Sequence, residues 1–360
     1  MSTVPASKEK AEHPKTNASC KPKSLKQRVL ENEIEITGAM ILFILAATYL
    51  GHSAAKKCLT LSYKTGEDQY VKGLDDIYFI GFWVIAFTFL RALSMKYLFH
   101  PFAKMYGIGP YSKRERFAEQ AWALSTYAVF WTEGMNIMYH SPHWLNTSQF
   151  WIDYPHLQMT TQMKAYYLMQ IAFWTQQIYT IHIEKRRKDH LAMVTHHFIT
   201  FILLTSSYCA NFTRIGNAVL CCMDPADIFL SLAKVLKYTG CSVACDITFG
   251  LFALSWPITR HGLFSVIIWA TAVEPSRYID MLWEPEKGKY FTPFTQKIYI
   301  LLFVSLNTIM IYWFIMIVKV ILRVLQGKNA EDTRSDDEDE DGDEVDAKKE
   351  QIHSVKGKHG

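Results

Sequence analysis

Two consecutive apolar segments of this 360-residue chain carry ionisable side chains at spacings that suit chemistry. The first holds Asp189, Met193, His196, His197 and Thr200; the second holds Arg214, Gly216, Asp224, Asp227, Lys234 and Tyr238. A charged side chain at the centre of a membrane helix costs about 2.5–3.5 kcal/mol on insertion scales, so a cluster of them marks a site by default. Asp224 and Asp227 are three apart and share a helix face, with Lys234 further along the same face; His196 and Thr200 are four apart and also share one. His196 and His197 stand about 100° apart around a helix. One faces the reaction centre while the other orients or supports it, and the spacing does not choose between them.

Just ahead of the histidines lies Lys185-Arg186-Arg187-Lys188. The histidine pair sits on the order of 10 Å further along the helix axis. A basic cluster over a buried His/Asp site suits a substrate with a phosphorylated head outside an apolar layer and a reactive carbonyl inside it. The plainer readings are a positive-inside anchor for the basic run and packing for a lone histidine; two histidines, two aspartates and a lysine in adjacent segments argue against packing alone. Adjacent histidines on one helix do not readily chelate one ion and no further histidine cluster completes a di-iron set, so no metal is expected.

These residues must be positioned by membrane helices. The mean hydropathy of +0.01 conceals a segregated chain. Continuous apolar runs alternate with polar stretches, which excludes a single soluble domain, a collagen-like chain and a disordered chain. A bilayer core needs roughly 20 apolar residues per helix. Eight segments qualify as expectations: 36–54, 76–98, 118–139, 163–183, 190–209, 216–238, 242–271 and 296–324, the seventh broken near Pro257. Lysine and arginine in the leader, near Lys113-Arg114-x-Arg116 and at 185–188 place those flanks, and both termini, in the cytosol. The loop at 55–75 argues against this with Lys56, Lys57, Lys64 and Lys72.

The remaining features are organisational. Residues 327–360 carry 12 acidic and 6 basic side chains, leaving 22 acidic and 32 basic, a net of +10, in the rest. Glu331 to Asp346 is too acidic to fold alone, and Ser335 before Asp336-Asp337-Glu338 is a candidate for an acid-directed kinase. The final Lys356-Gly357-Lys358-His359-Gly360 is similar to a dilysine-type retrieval signal of the endoplasmic reticulum. Seven cysteines without metal spacing read as packing residues. The first apolar run begins at Ile36, too late for a cleavable signal peptide. Sequons at Asn17, Asn146 and Asn211 lie in the cytosol or close to the membrane, so little glycosylation is expected.

Arg186-Arg187-Lys188-Asp189, Met193, His196-His197, Thr200 and Tyr208, followed by Arg214-x-Gly216, Asp224-x-x-Asp227, Leu230, Lys234 and Tyr238, closely resemble the signature of the longevity-assurance family of ceramide synthases within the TLC domain. The similarity runs from about Lys113 to about Val324, and Ala172 to Ile178 and Cys245 to Leu251 resemble fungal members most. Pro225, between the two aspartates, departs from the pattern.

The resemblance implies an all-α polytopic membrane protein with about eight helices. A basic leader (1–35) precedes two helices (36–112), a TLC bundle around a lipid-accessible site (113–326) and an acidic tail (327–360). It implies N-acylation of a sphingoid base, with His196, His197, Asp224 and Asp227 catalytic. Lys185, Arg186, Arg187, Lys188, Thr200, Arg214, Lys234 and Tyr238 would bind substrate. Acyl-CoA is then a co-substrate, and no cofactor is bound tightly. Histidine, with a pKa near 6.5, can take the proton an ammonium must lose before attacking a thioester, or take the acyl group itself. An aspartate can hold the ring tautomer, stabilise imidazolium or bind the amine as its cation. Partners would be acyl-CoA, sphingoid base, membrane lipid, a second synthase and a small single-span subunit, with no nucleic acid, in the endoplasmic reticulum membrane. The alternatives are a non-catalytic TLC protein that binds lipid or assists insertion, and a transporter.

Overall fold

The computed structural model of the chain describes residues 29–184 and 188–326. Lys185, Arg186, Arg187 and Ser335 lie outside the described residues. The described chain is nearly all helix: α1 (Glu33–Tyr49), α2 (Ser53–Leu59), α3 (Asp76–Ser94), α4 (His100–Met105), α5 (Tyr111–Tyr139), α6 (Thr161–Ile183), α7 (His190–Cys209), α8 (Thr213–Tyr238), α9 (Ser242–Trp256), α10 (Phe264–Val273), α11 (Pro275–Tyr278) and α12 (Pro293–Leu325). One short hairpin, β1 (Lys64–Gly66) and β2 (Gln69–Tyr70), interrupts them. A π-helical turn, Met95–Phe99, joins α3 to α4, and a π-helical segment, Pro257–Leu263, joins α9 to α10.

Each of the eight expected segments is helical. Among the described residues, four stretches are long and apolar enough to cross a membrane: Asp76–Met105, His190–Cys209, Ser242–Val273 and Pro293–Val324. The others fall short for two physical reasons. Helix α1 has only 17 residues. Helices α5, α6 and α8 contain polar side chains that face protein; α6 buries Lys164, Gln170, Gln176 and Thr180, and α8 buries Asn217, Asp224 and Ser231. The apolar helices turn large side chains outward, among them Leu42, Phe43 and Leu301. This is a helical membrane protein in which α6 and α8 carry their polar side chains in the protein interior.

Two prolines inside helices have different outcomes. Pro257 opens the chain into the wide π-helical segment. Pro225 leaves α8 continuous. Because proline has no N–H, the carbonyl four residues earlier loses its donor; that carbonyl, on Cys221, instead accepts from the Trp131 indole of α5 at 3.2 Å.

Short segments fold across one end of the bundle as a cap. Lys164 at the start of α6 pairs with Asp76 at 2.8 Å and donates to the carbonyls of Ser62 and Val71. Tyr208 donates to the same aspartate at 2.8 Å. In the loop at 55–75, Lys57 pairs with Asp75, and Lys72 donates to the Cys209 carbonyl and lies over the Tyr290 ring. Two of the lysines that contradicted the charge rule are thus committed to local contacts. Asn211, in the left-handed conformation, is buried and donates to the Gly288 carbonyl at 2.9 Å, so its sequon is closed to modification. Below the cap, Trp151, Phe212 and Phe291 pack ring against ring.

Candidate functional site

Helices α7 and α8 each present one stripe to a shared interior. On α7 the stripe is His196, Thr200, Leu203, Leu204 and Ser207; on α8 it runs from Ile215 and Gly216 through Val219, Leu220 and Met223 to Asp224 and Asp227. These are the three- and four-residue steps of one helix face. Gly216 is dictated by a close approach: a Cβ there would fall 1.7 Å from the Tyr167 hydroxyl, which hydrogen bonds Ser207. The two stripes bound an apolar chamber of about 770 Å³, counting the open space at its mouth, that ends against Trp151, Phe212 and Phe291.

A second cavity, of about 1290 Å³, opens from the other side of the same residues. Its lining is mixed and far more polar than the chamber's, and includes Glu119, Gln177, Glu184, His190, Ser231 and Lys234. Trp174, His196, Asp227 and Arg260 line both spaces and form the junction between them.

The two histidines are not equivalent. His196 stands at the junction, boxed by Trp174 and Trp313 with ring centroids 5.7 and 5.4 Å away. Its Nδ1 is buried and makes no hydrogen bond among the described residues; the Thr200 hydroxyl, one turn along the stripe, has none either. His197 is buried, lines only the polar vestibule, and its Nδ1 lies 2.7 Å from the Met193 carbonyl. A carbonyl can only accept, so Nδ1 carries the proton and the lone pair is left on Nε2. Trp313 is held by its indole N–H, which donates to Asp189 at 3.1 Å.

The aspartates also differ. Asp224 is 4% exposed and lines only the apolar chamber. Asp227 stands at the junction in an ion pair with Arg260 Nη2 at 2.5 Å. The same guanidinium donates to the Met223 carbonyl and lies 4.0 Å over the Trp256 ring. At the capped end burial pushes His156 down to about 4 and His143 below the usual histidine range, so these two imidazoles are neutral at neutral pH.

A TLC domain model matches residues 116–319. The chain is 42% identical to the sphingosine N-acyltransferase lag1 of Schizosaccharomyces pombe over 290 residues, covering 80% of this chain and 74% of that protein. It is 36% identical to the sphingosine N-acyltransferase-like protein ALT7 of Alternaria alternata, covering 84% and 74%. It is 33% identical to the ceramide synthase LAG1 of Saccharomyces cerevisiae, covering 81% and 72%. The chain belongs to the ceramide synthase family of TLC-domain proteins.

Within this ceramide synthase family member, the residues singled out in the sequence do not all meet. His196, His197, Thr200, Asp224, Asp227 and Lys234 line one or both cavities. Lys188 is exposed at the start of α7. Arg214 stands at the capped end, where Nη1 donates to the Gln149 carbonyl at 2.6 Å. Tyr238 packs at the far end of α8 against the Phe117 cluster. The sequence reading passed over Arg260, Trp174 and Trp313. Arg260 did carry a signal, an arginine inside an apolar run three residues after a proline; the tryptophans carried none, because only tertiary packing brings them to His196.

Proposed function

We propose that this chain is an acyl-CoA-dependent sphingoid-base N-acyltransferase that forms ceramide. The observation that carries the reading is the meeting of an apolar chamber and a polar vestibule at His196. An acyl thioester has that same division: a hydrocarbon tail, a reactive carbonyl, and a phosphorylated polar carrier. With the tail in the chamber and the carrier in the vestibule, the carbonyl falls beside His196 and Asp227. From His196 to Ser207 the α7 stripe runs about 16 Å, the span of an extended chain of about thirteen carbons. A long acyl chain therefore fits with its head at the junction.

Two routes are open to His196. It removes the ammonium proton, the amine attacks the thioester, the C–S bond breaks, and the thiolate takes that proton back from the imidazolium while the amide nitrogen's surplus proton passes to the medium; or a ring nitrogen attacks the carbonyl, the C–S bond breaks, the thiolate takes the ring proton, and the amine, having lost its proton, displaces the imidazole from the acyl group. His197 keeps its basic Nε2 toward the vestibule in either route. In the membrane the eight helices cross the endoplasmic reticulum bilayer with both termini and the vestibule on the cytosolic side. Assembly with a second synthase and a small single-span subunit is part of this reading.

Membranes containing the chain should convert acyl-CoA and dihydrosphingosine to dihydroceramide, measured by mass spectrometry across acyl lengths. Absence of product from well-expressed protein, alone and with its natural subunits, would sink the reading. Release of thiol before any base is added would select the two-step route.

A further inference from the structure

Arg260 is buried, at 3% exposure, and every donor group it has is engaged. Nη2 donates to Asp227 at 2.5 Å and to the Met223 carbonyl at 2.8 Å, Nε lies 3.3 Å from the same carbonyl, and Nη1 reaches the Met310 sulfur at 3.6 Å. The guanidinium plane rests on Trp256. Two local irregularities place it there. Pro257 opens a π-helical segment that carries Arg260 toward α8, and the Met223 carbonyl that receives it lies two residues before Pro225, in the turn where Trp131 already caps Cys221. Arg260 thereby ties the backbone before the first aspartate to the carboxylate of the second.

The charge count gives this arrangement a consequence. Among the described residues, the charged side chains lining the apolar chamber are Asp224, Asp227 and Arg260. Two carboxylates thus share one guanidinium, and the guanidinium is spent on Asp227. An unpaired carboxylate in an apolar wall is strongly unfavourable unless it takes a proton or a cation meets it. A long-chain amine arrives as that cation.

We propose that Arg260 is a positioning residue that divides the work of the two aspartates: it pins Asp227 at the junction and leaves Asp224 to bind the ammonium of the sphingoid base. The inference rests on the acyltransferase reading. It makes Asp227 and Arg260 one functional unit and Asp224 a separate one. Losses within a unit do not add, whereas losses in independent units do.

The test uses the full chain in membranes or detergent, with kcat and KM measured separately for each substrate. R260Q and D227N should each lower kcat by roughly 10²-fold, the scale of a misplaced catalytic group, with KM for acyl-CoA unchanged. The D227N/R260Q double variant should be no worse than either single one, and R260K should recover part of the loss by restoring the charge. D224N should raise KM for the base and combine multiplicatively with R260Q. If R260Q does not accumulate, the same cycle is run with R260K, which keeps the charge and most of the volume.

A second measurement needs no turnover. Thermal stabilisation of the purified protein by dihydrosphingosine alone should vanish in D224N and persist in D227N. Wild-type rate in R260Q, multiplied losses in D227N/R260Q, or base stabilisation that follows Asp227 instead of Asp224 would overturn the proposal. If wild type makes no ceramide yet the base still depends on Asp224, the acyltransferase reading fails and the division of the aspartates stands.

Discussion

The two cavities that meet at His196 are opposites in what they ask of a sequence. The chamber is built largely from helix stripes: short periodic steps on α7 and α8, small at Gly216 and aliphatic at Leu203, Leu204 and Val219, with Tyr299, Phe303 and Leu306 of α12 facing them. The vestibule is built from side chains contributed by many elements, among them Arg91 of α3, Glu119 of α5, Glu184 after α6 and Lys234 of α8. A continuous stripe makes a smooth wall that hydrocarbon can slide along, and it is set by local periodicity. A polar pocket gathered from distant segments can match the irregular shape of a phosphorylated carrier, and it exists only after folding. On the proposed acyltransferase reading, the difference assigns tail length chiefly to helix faces and head recognition to the tertiary fold.

The largest expected effect breaks the comparison at the junction itself. His196→Ala should reduce dihydroceramide formation by about 10³-fold, within the range removed with a general acid–base group, because no other imidazole lines both spaces among the described residues. His197→Ala should leave a measurable rate, since His197 faces only the vestibule. The check is product formation at matched protein level. Equal residual activity in the two variants would mean that the junction does not distinguish them, and the assignment of roles would fail.

A smaller effect sharpens the chamber side. Val219 lines the chamber eight residues before Asp227, about 12 Å along the helix. Val219→Trp should fill the space beyond that point and remove about 6 Å of depth, the four residues from Val219 to Ile215. Activity should then shift toward acyl donors several carbons shorter, with the KM for the sphingoid base unchanged. An acyl-CoA length series measures this, and an unaltered length preference would show that the tail lies elsewhere.

How much of this was legible beforehand follows from the same contrast. Helix faces could be read from spacing, so Asp224 with Asp227 and His196 with Thr200 were paired in advance, and each of the eight expected segments coincides with helix, although α5 begins seven residues before the expected 118 and α1 ends five before the expected 54. Of the eight expected spans four are long and apolar enough to cross a membrane, and Lys164, Gln170 and Asn217 lower the hydropathy of α6 and α8 while lying buried in the protein. The motif also did not separate members of the site from members of the scaffold. Arg214 and Gly216 are two residues apart, yet one anchors the cap loop and the other makes room for Tyr167. Arg260 could not be placed by spacing, since a π-helical segment breaks the regular step that such an argument assumes.

The smallest expected effect concerns the backbone that holds both sides in register. Trp131 caps the Cys221 carbonyl that Pro225 leaves without a donor, and Asn217 secures the same stretch by donating to the Gly134 carbonyl at 3.1 Å and accepting from His143. Trp131→Phe keeps most of the ring packing and deletes the N–H. A buried carbonyl left unsatisfied costs about 1–3 kcal/mol, so the midpoint of thermal unfolding in detergent should fall by a few degrees. Pro225→Ala restores the missing N–H, so in that background Trp131→Phe should cost measurably less. Equal losses with and without the proline would mean that the indole contributes packing alone, and that the turn bearing Asp224 is held by something other than this exchange of donors.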